Sequence, residues 1–243
     1  MNLLIPIILL GLVGMIIQGA FIAVEHKENF VAAVILKGSA SLFFVFIGFL
    51  AYNNFLKSAG ADNTDPKAGL TNTICLMICL GLVFGLLGDV FLGLRFVFEK
   101  IGQKIFLVGI LLFFIGHILY MVALFPMSDH LIICILIGAV VAATLLLLMY
   151  KTMEIKLAFK IFGFFYIGAV VIMTSIAIGN WISNPSLFAA WFAIGAILFT
   201  ISDVVMIFNT FGKTQKFSLR ITNLSLYYIG QLLIAASMLF AKM

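Results

Sequence analysis

Charge is what this chain has least of. Only 9% of its 243 residues are Asp, Glu, Lys or Arg, against 65% hydrophobic residues and a mean hydropathy of +1.29. A soluble domain of this size needs far more polar surface, so the chain reads as an integral membrane protein. Proline is scarce as well. Pro6, Pro66, Pro126 and Pro185 all fall at the ends of apolar runs or between them, which predicts unbroken helices. Many secondary transporters build their sites from helices interrupted at mid-membrane, so this absence weighs against that architecture. Cys75, Cys79 and Cys134 all lie in apolar runs and read as small apolar fillers. No disulfide is implied, and two thiols four residues apart with no histidine nearby make a poor zinc site.

What remains is apolar sequence in spanning lengths. Eight stretches, at about 2–24, 30–56, 72–94, 105–125, 131–150, 161–182, 187–211 and 221–240, each approach the roughly 20 residues that a spanning helix requires. The expected fold is therefore all-α, a single polytopic membrane domain over 1–243. The first stretch reads as a retained helix, without a basic leader or a small-residue cleavage site. Between the second and third stretches, Lys57 to Thr71, with Asp62, Asp65 and Pro66, is the only segment with linker character.

Basic residues concentrate on the cytoplasmic side of membrane proteins. The loops after stretches 1, 3, 5 and 7 hold ten: Lys27; Arg95, Lys100 and Lys104; Lys151, Lys156 and Lys160; Lys213, Lys216 and Arg220. The other face has Lys57, Lys67 and Lys242. Both termini are thus expected outside, with a bacterial cytoplasmic membrane as the expected setting. The net charge of +5 follows from the same rule and gives no support to a nucleic-acid partner.

Two aspartates interrupt this apolar pattern. Asp89 and Asp203 lie 114 residues apart, and at the same offset Gly81 matches Gly195 while Phe113-Phe114-Ile115-Gly116-His117 matches Tyr227-Tyr228-Ile229-Gly230-Gln231. The expectation is two parallel four-helix repeats, about 1–127 and 128–243, with a site where the halves meet. An aspartate at the centre of a span costs roughly 2.5–3.5 kcal/mol on insertion scales, so two at equivalent places suggest a paired site. Gly81, Gly85, Asp89 and Gly93 form a stripe of one residue in four that lets a neighbouring helix approach closely.

At about 1.5 Å rise per residue, Asp89 lies about 9 Å from Arg95, Asp203 about 15 Å from Lys213, and Lys37 about 15 Å from Lys27. Asn223, Tyr227 and Gln231 form a polar stripe at comparable depth, and His117 and Tyr120 come nearer the centre. Helices 2, 3, 4, 7 and 8 can therefore converge on one polar cavity. Lys37 reads as the one cation inside a span and needs a counter-ion, which either aspartate could supply. An architectural ion pair is the bland alternative. His117, Tyr227, Tyr228 and Gln231 could likewise be interhelical packing and hydrogen bonding alone. Tyr166 and Thr174 read as ordinary helix residues.

Two carboxylates of low-polarity surroundings need not share a protonation state. One can serve as a general acid while a cation such as Lys37 keeps the other ionised, a combination suited to hydrolysis through a cationic intermediate. The chain has no Gly-x-Ser-x-Gly elbow, no His-Glu-x-x-His and no phosphate-cradling loop. No cofactor or metal is expected; a metal on Asp89, Asp203 and His117 is a weaker alternative, with one histidine and few oxygen ligands.

Taken in order, Leu36-Lys37, Gly88-Asp89-Val90-Phe91-Leu92, Gly116-His117-x-x-Tyr120, Phe199-x-x-Ser202-Asp203 and Tyr227-Tyr228-x-x-Gln231 resemble the YhhN family of membrane proteins, which includes the lysoplasmalogenases. Gly230 departs slightly, at a position where that family more often has alanine. The resemblance implies hydrolysis of the vinyl ether bond of lysoplasmalogens to a fatty aldehyde and a glycerophospho-choline or glycerophospho-ethanolamine. It implies a lysophospholipid substrate among membrane lipids, Asp89 and Asp203 as acid and base in either order, and binding or tuning roles for Lys37, His117, Tyr120, Asn223, Tyr227, Tyr228 and Gln231. The rival classes are a proton- or cation-coupled transporter or lipid-binding protein, and an assembly protein with an architectural polar core. Oligomeric state is left open. The charge asymmetry predicts that green fluorescent protein fused to the C-terminus stays dark; bright whole-cell fluorescence would reverse the topology.

Overall fold

A computed structural model of the chain describes residues 3–59, 66–153 and 157–241. Within them eight α-helices and no strand are found: α1 Leu4–His26, α2 Phe30–Ala59, α3 Pro66–Val97, α4 Gly102–Leu124, α5 Leu131–Thr152, α6 Leu157–Ser183, α7 Leu187–Phe211 and α8 Phe217–Ser237. All eight are long and apolar enough to cross a membrane. Asp62, Asp65, Lys156 and Lys242, used above for the linker and the charge bias, lie outside the described residues.

Helix α3 is longer than hydropathy alone predicts. α3 begins at Pro66 rather than near residue 72, because proline suits the first turn, where its missing N–H has no intrahelical role. The polar residues of that turn are then satisfied locally: the Thr71 and Thr73 hydroxyls donate to the carbonyls of Lys67 and Gly69, and Tyr52 on α2 donates to Asn72 Oδ1 at 2.6 Å. Its 32 residues span roughly 48 Å, well beyond a 30 Å hydrocarbon core. At the other end α3 runs on to Val97, and α8 starts at Phe217. Arg95 and Arg220, assigned to loops from the sequence, are thus helical, so Lys37 is not the only cation carried on a spanning helix. α7 starts where Ser186, just after Pro185, accepts from the Ala189 N–H at 3.1 Å, a side-chain N-cap.

Helix α8 is the most enclosed, whereas α1 and α5 are the least. The outer faces of α1 and α5 present Ile5, Leu9, Ile16, Ile132, Leu136 and Val140, the kind of surface that lipid tails would cover. Inside, Phe44, Ile78, Leu82, Phe192, Phe199 and Ile234 are completely shielded. The pairs α1·α2, α2·α3, α3·α4 and α2·α8 all pack together, and a shift of four helices carries them onto α5·α6, α6·α7, α7·α8 and α4·α6, which pack together too.

Several helix crossings are made at glycines that approach a neighbouring backbone. A Cβ on Gly195 would stand 2.7 Å from the Gly230 carbonyl oxygen, and one on Gly230 would stand 2.8 Å from that of Gly195, so α7 and α8 meet backbone to backbone. Between α3 and α4 a Cβ on Gly116 would stand 3.1 Å from the Gly81 carbonyl oxygen, while one on Gly81 would collide with the Tyr120 ring. Without a hydrophobic driving force between helices in lipid, such close approach is a main source of their attraction. Gly195→Ala should therefore lower the thermal unfolding midpoint of the detergent-solubilised protein, by an overpacking cost of about 1–3 kcal/mol. Gly19→Ala, where a Cβ meets nothing within 4 Å, should not. Equal midpoints for the two variants would contradict the contact.

Candidate functional site

The site begins with the pairing of α2 against α3. Lys37 and Ser41 are one turn apart on α2 and so share a face, and that face meets Asp89 on α3. Lys37 Nζ lies 3.0 Å from Asp89 Oδ1, and Ser41 donates to Asp89 Oδ2 at 2.6 Å. From α8, Tyr227 donates to the same Oδ2 at 2.5 Å. Asp89 is 1% exposed and Lys37 5%. Of the two carboxylates that could have been the counter-ion of Lys37, it is therefore Asp89, with both oxygens engaged. An ammonium and two hydroxyls on one carboxylate supply charge-assisted hydrogen bonds, which are shorter and stronger than neutral ones.

Asp203, 4% exposed on α7, has different company. Its Oδ2 accepts from Tyr166 on α6 at 2.6 Å, and among the described residues no Lys or Arg pairs with it. Tyr166 is thus not the ordinary helix residue it resembles in the sequence. Beside Asp203, Ser202 is tied to α8: Asn223 Nδ2 donates to its carbonyl at 3.0 Å and to its hydroxyl at 2.8 Å. The Tyr227 ring packs edge-on against Phe44, Phe113 and Phe199, which fixes the direction of its hydroxyl.

Both aspartates line one narrow cavity of about 70 Å³, together with Lys37, Tyr166, Asn223 and Tyr227. A volume of this size admits a few water molecules. Its walls are otherwise largely apolar, with Phe106, Ile110, Leu146, Phe159, Ile207 and Phe211 among them. These come from α4, α5, α6 and α7, so more helices build the cavity than the five expected. Arg95 and Arg220 also line it, towards the ends of α3 and α8. Ser41 could have been found from its position four residues after Lys37. Tyr166 carries no such signal.

Four of the expected residues stand behind this cavity instead of lining it. His117 Nδ1 donates to the Phe113 carbonyl at 2.6 Å, since a carbonyl can only accept, and the ring is packed edge-on by Tyr120, Tyr166 and Phe199. Among the described residues its buried Nε2 has no hydrogen-bond partner. Tyr120 donates to Gln231 Oε1 at 3.0 Å, joining α4 to α8, and Tyr228 donates to the Ala40 carbonyl at 2.6 Å, joining α8 to α2. Among the described residues no group of three or more His, Cys, Asp or Glu side chains is placed to hold a metal ion.

The buried pair makes a stability prediction. Removing one partner strands a buried charge at a cost of about 3–5 kcal/mol, whereas replacing both can be nearly neutral. Lys37→Met should lower the unfolding midpoint in detergent sharply, and Lys37→Met combined with Asp89→Asn should recover much of the loss. Additive losses in the double variant would show that the two side chains do not act as a pair.

No curated protein and no solved structure matches the chain. One family model does, that of the YhhN family, over residues 67–238. The match takes in Asp89, His117, Tyr166, Asp203, Asn223 and Tyr227, and leaves out Lys37 and Ser41 on α2. With most of its length covered and eight helices apolar enough to span a membrane, this chain belongs to the YhhN family.

Proposed function

We propose that the protein is a membrane hydrolase that cleaves the vinyl ether bond of lysoplasmalogens, yielding a fatty aldehyde and a glycerophospho-choline or glycerophospho-ethanolamine. The observation that carries this reading is the unequal pair of carboxylates in one cavity: Asp89 has an ammonium and two hydroxyls, Asp203 a phenol and no cation. Membership of a family that includes lysoplasmalogenases supports it.

The two environments divide the work. Asp203, which has a phenol but no cation beside it, takes the role of proton donor; Asp89, paired with the Lys37 ammonium, takes that of electrostatic partner for a cation. In the first step Asp203 gives its proton to the vinyl carbon remote from the ether oxygen, and the double-bond electrons form the new C–H bond. The oxygen-bearing carbon becomes an oxocarbenium ion, which the Asp89 carboxylate stabilises. Water adds at that carbon and returns a proton to Asp203. The hemiacetal then breaks its bond to the glycerol oxygen, giving aldehyde and alcohol, with one water consumed. Carboxylate pairs serve the same kind of cation in glycoside hydrolysis. The apolar walls suit an alkenyl chain.

Buried ionisable groups also serve ion-coupled transport, which the Lys37–Asp89 pair would permit. The two readings separate in one assay. Purified protein in detergent should release fatty aldehyde from a lysoplasmalogen, and Asp89→Asn and Asp203→Asn should each lose roughly 100-fold or more in turnover, as expected for lost acid or base catalysis. Folded wild-type protein that forms no aldehyde, yet takes up a solute in proteoliposomes, would move the assignment to transport.

A further inference from the structure

The proposed chemistry leaves two arginines without a task. Arg95 and Arg220 line the end of the cavity, and both also line an open recess of about 400 Å³ that continues from it, together with Asn209, Gln215 and Lys216. Arg220 is committed, holding Glu25 through Nε at 3.0 Å and Nη2 at 2.7 Å. Arg95 is not. Among the described residues it makes no ion pair, and its Nε is buried with no hydrogen-bond partner. Its guanidinium carbon lies 4.5 Å from the ring centres of both Phe96 and Phe106. Stacking of that kind covers guanidinium faces, while the N–H donors lie in the plane, clear of the rings. A cation fixed by two rings, short of an acceptor and next to a second arginine is arranged for an anion, and its planar fork matches a phosphate.

We propose that Arg95 binds the phosphodiester of a lysophospholipid headgroup at the mouth of the cavity. The identity of the lipid rests on the hydrolase reading; the anion site rests on the arginine geometry. Asp89 and Arg95 are six residues apart on α3, about 9 Å along the helix axis. From phosphorus to the ether oxygen of a lysoplasmalogen there are five bonds of about 1.5 Å, an extended span of roughly 6 Å. Phosphate on Arg95 therefore brings the ether into the neighbourhood of the carboxylates and points the chain at the apolar wall. Arg95 is a binding residue that touches the part of the substrate that does not react. Its loss should weaken binding of phosphate-bearing ligands and leave phosphate-free ones unaffected.

The test uses a ligand that cannot be cleaved. Equilibrium binding to the full-length protein in detergent is measured for a 1-alkyl glycerophosphoethanolamine, for the 1-alkyl glycerol with the same chain, and for inorganic phosphate, with wild type, Arg95→Gln and Arg95→Lys. Wild type should prefer the phospholipid over the alkyl glycerol by roughly tenfold or more, the worth of a charge-assisted hydrogen-bond pair. Arg95→Gln should abolish that preference and Arg95→Lys should keep part of it. Equal wild-type affinity for the two lipids overturns the proposal even where Arg95→Gln does not fold, and so does full preference in a folded Arg95→Gln. Inorganic phosphate binding as tightly as the phospholipid overturns the lipid assignment. Aldehyde release from a lysoplasmalogen, assayed alongside, reports on the hydrolase reading separately, because the alkyl ethers need no chemistry to bind.

Discussion

A carboxylate in a low-dielectric interior must be neutralised or satisfied, and most of the helix arrangement around Asp89 can be understood as meeting that demand. Its two oxygens take an ammonium and two hydroxyls, brought by α2 and α8 to α3. Each donor is useful only if its helix sits at the right rotation and depth. Lys37 and Ser41 set the rotation of α2, since both point from one face at a spacing of four residues. Tyr227 sets that of α8, with Phe44, Phe113 and Phe199 fixing its ring. The polar contact thus specifies geometry that apolar packing alone leaves loose.

Behind that contact stands a layer that keeps the helices close. Backbone meets backbone at Gly195 and Gly230, and Gly81 and Gly116 make the corresponding approach between α3 and α4. Gly81 also leaves room for the Tyr120 ring, whose hydroxyl reaches Gln231 on α8. His117, Tyr120, Tyr228 and Gln231 are therefore polar without lining the cavity: their hydrogen bonds join helices or satisfy a backbone carbonyl. A polar residue in a span can serve a site by holding its walls as well as by facing its contents.

The two aspartates show how one arrangement can supply two environments. Each sits on a helix packed against the helix before it, α3 on α2 and α7 on α6, and each takes a hydrogen bond from that neighbour. The neighbour's side chains make the difference. On α2 they are a lysine and a serine; on α6 the donor is a tyrosine. One cavity thus holds one compensated and one uncompensated carboxylate, the two unlike groups that the proposed acid-assisted hydrolysis uses.

Much of this was legible in the sequence. Eight spanning helices follow from length and hydropathy, since a bilayer sets the same thickness for every span. The aspartates stand out because their insertion is costly, and the fixed offset of 114 residues joins them to glycines that the structure places where helix backbones approach closely. What the sequence could not supply was rotation. In a soluble helix an apolar stripe marks the buried face, but in a membrane both the lipid side and the protein side are apolar, so periodicity says little about which residues meet. That is why Tyr166 passed as an ordinary helix residue, why the counter-ion of Lys37 stayed open, and why His117 looked as exposed to the cavity as Tyr227. Hydropathy also ends a helix at its first charges, which hid Arg95 and Arg220 in loops. The sequence by itself determined that the chain is built of long apolar helices and that two of them carry aspartates; only the tertiary structure, by choosing how each helix turns, decided which donors reach those aspartates.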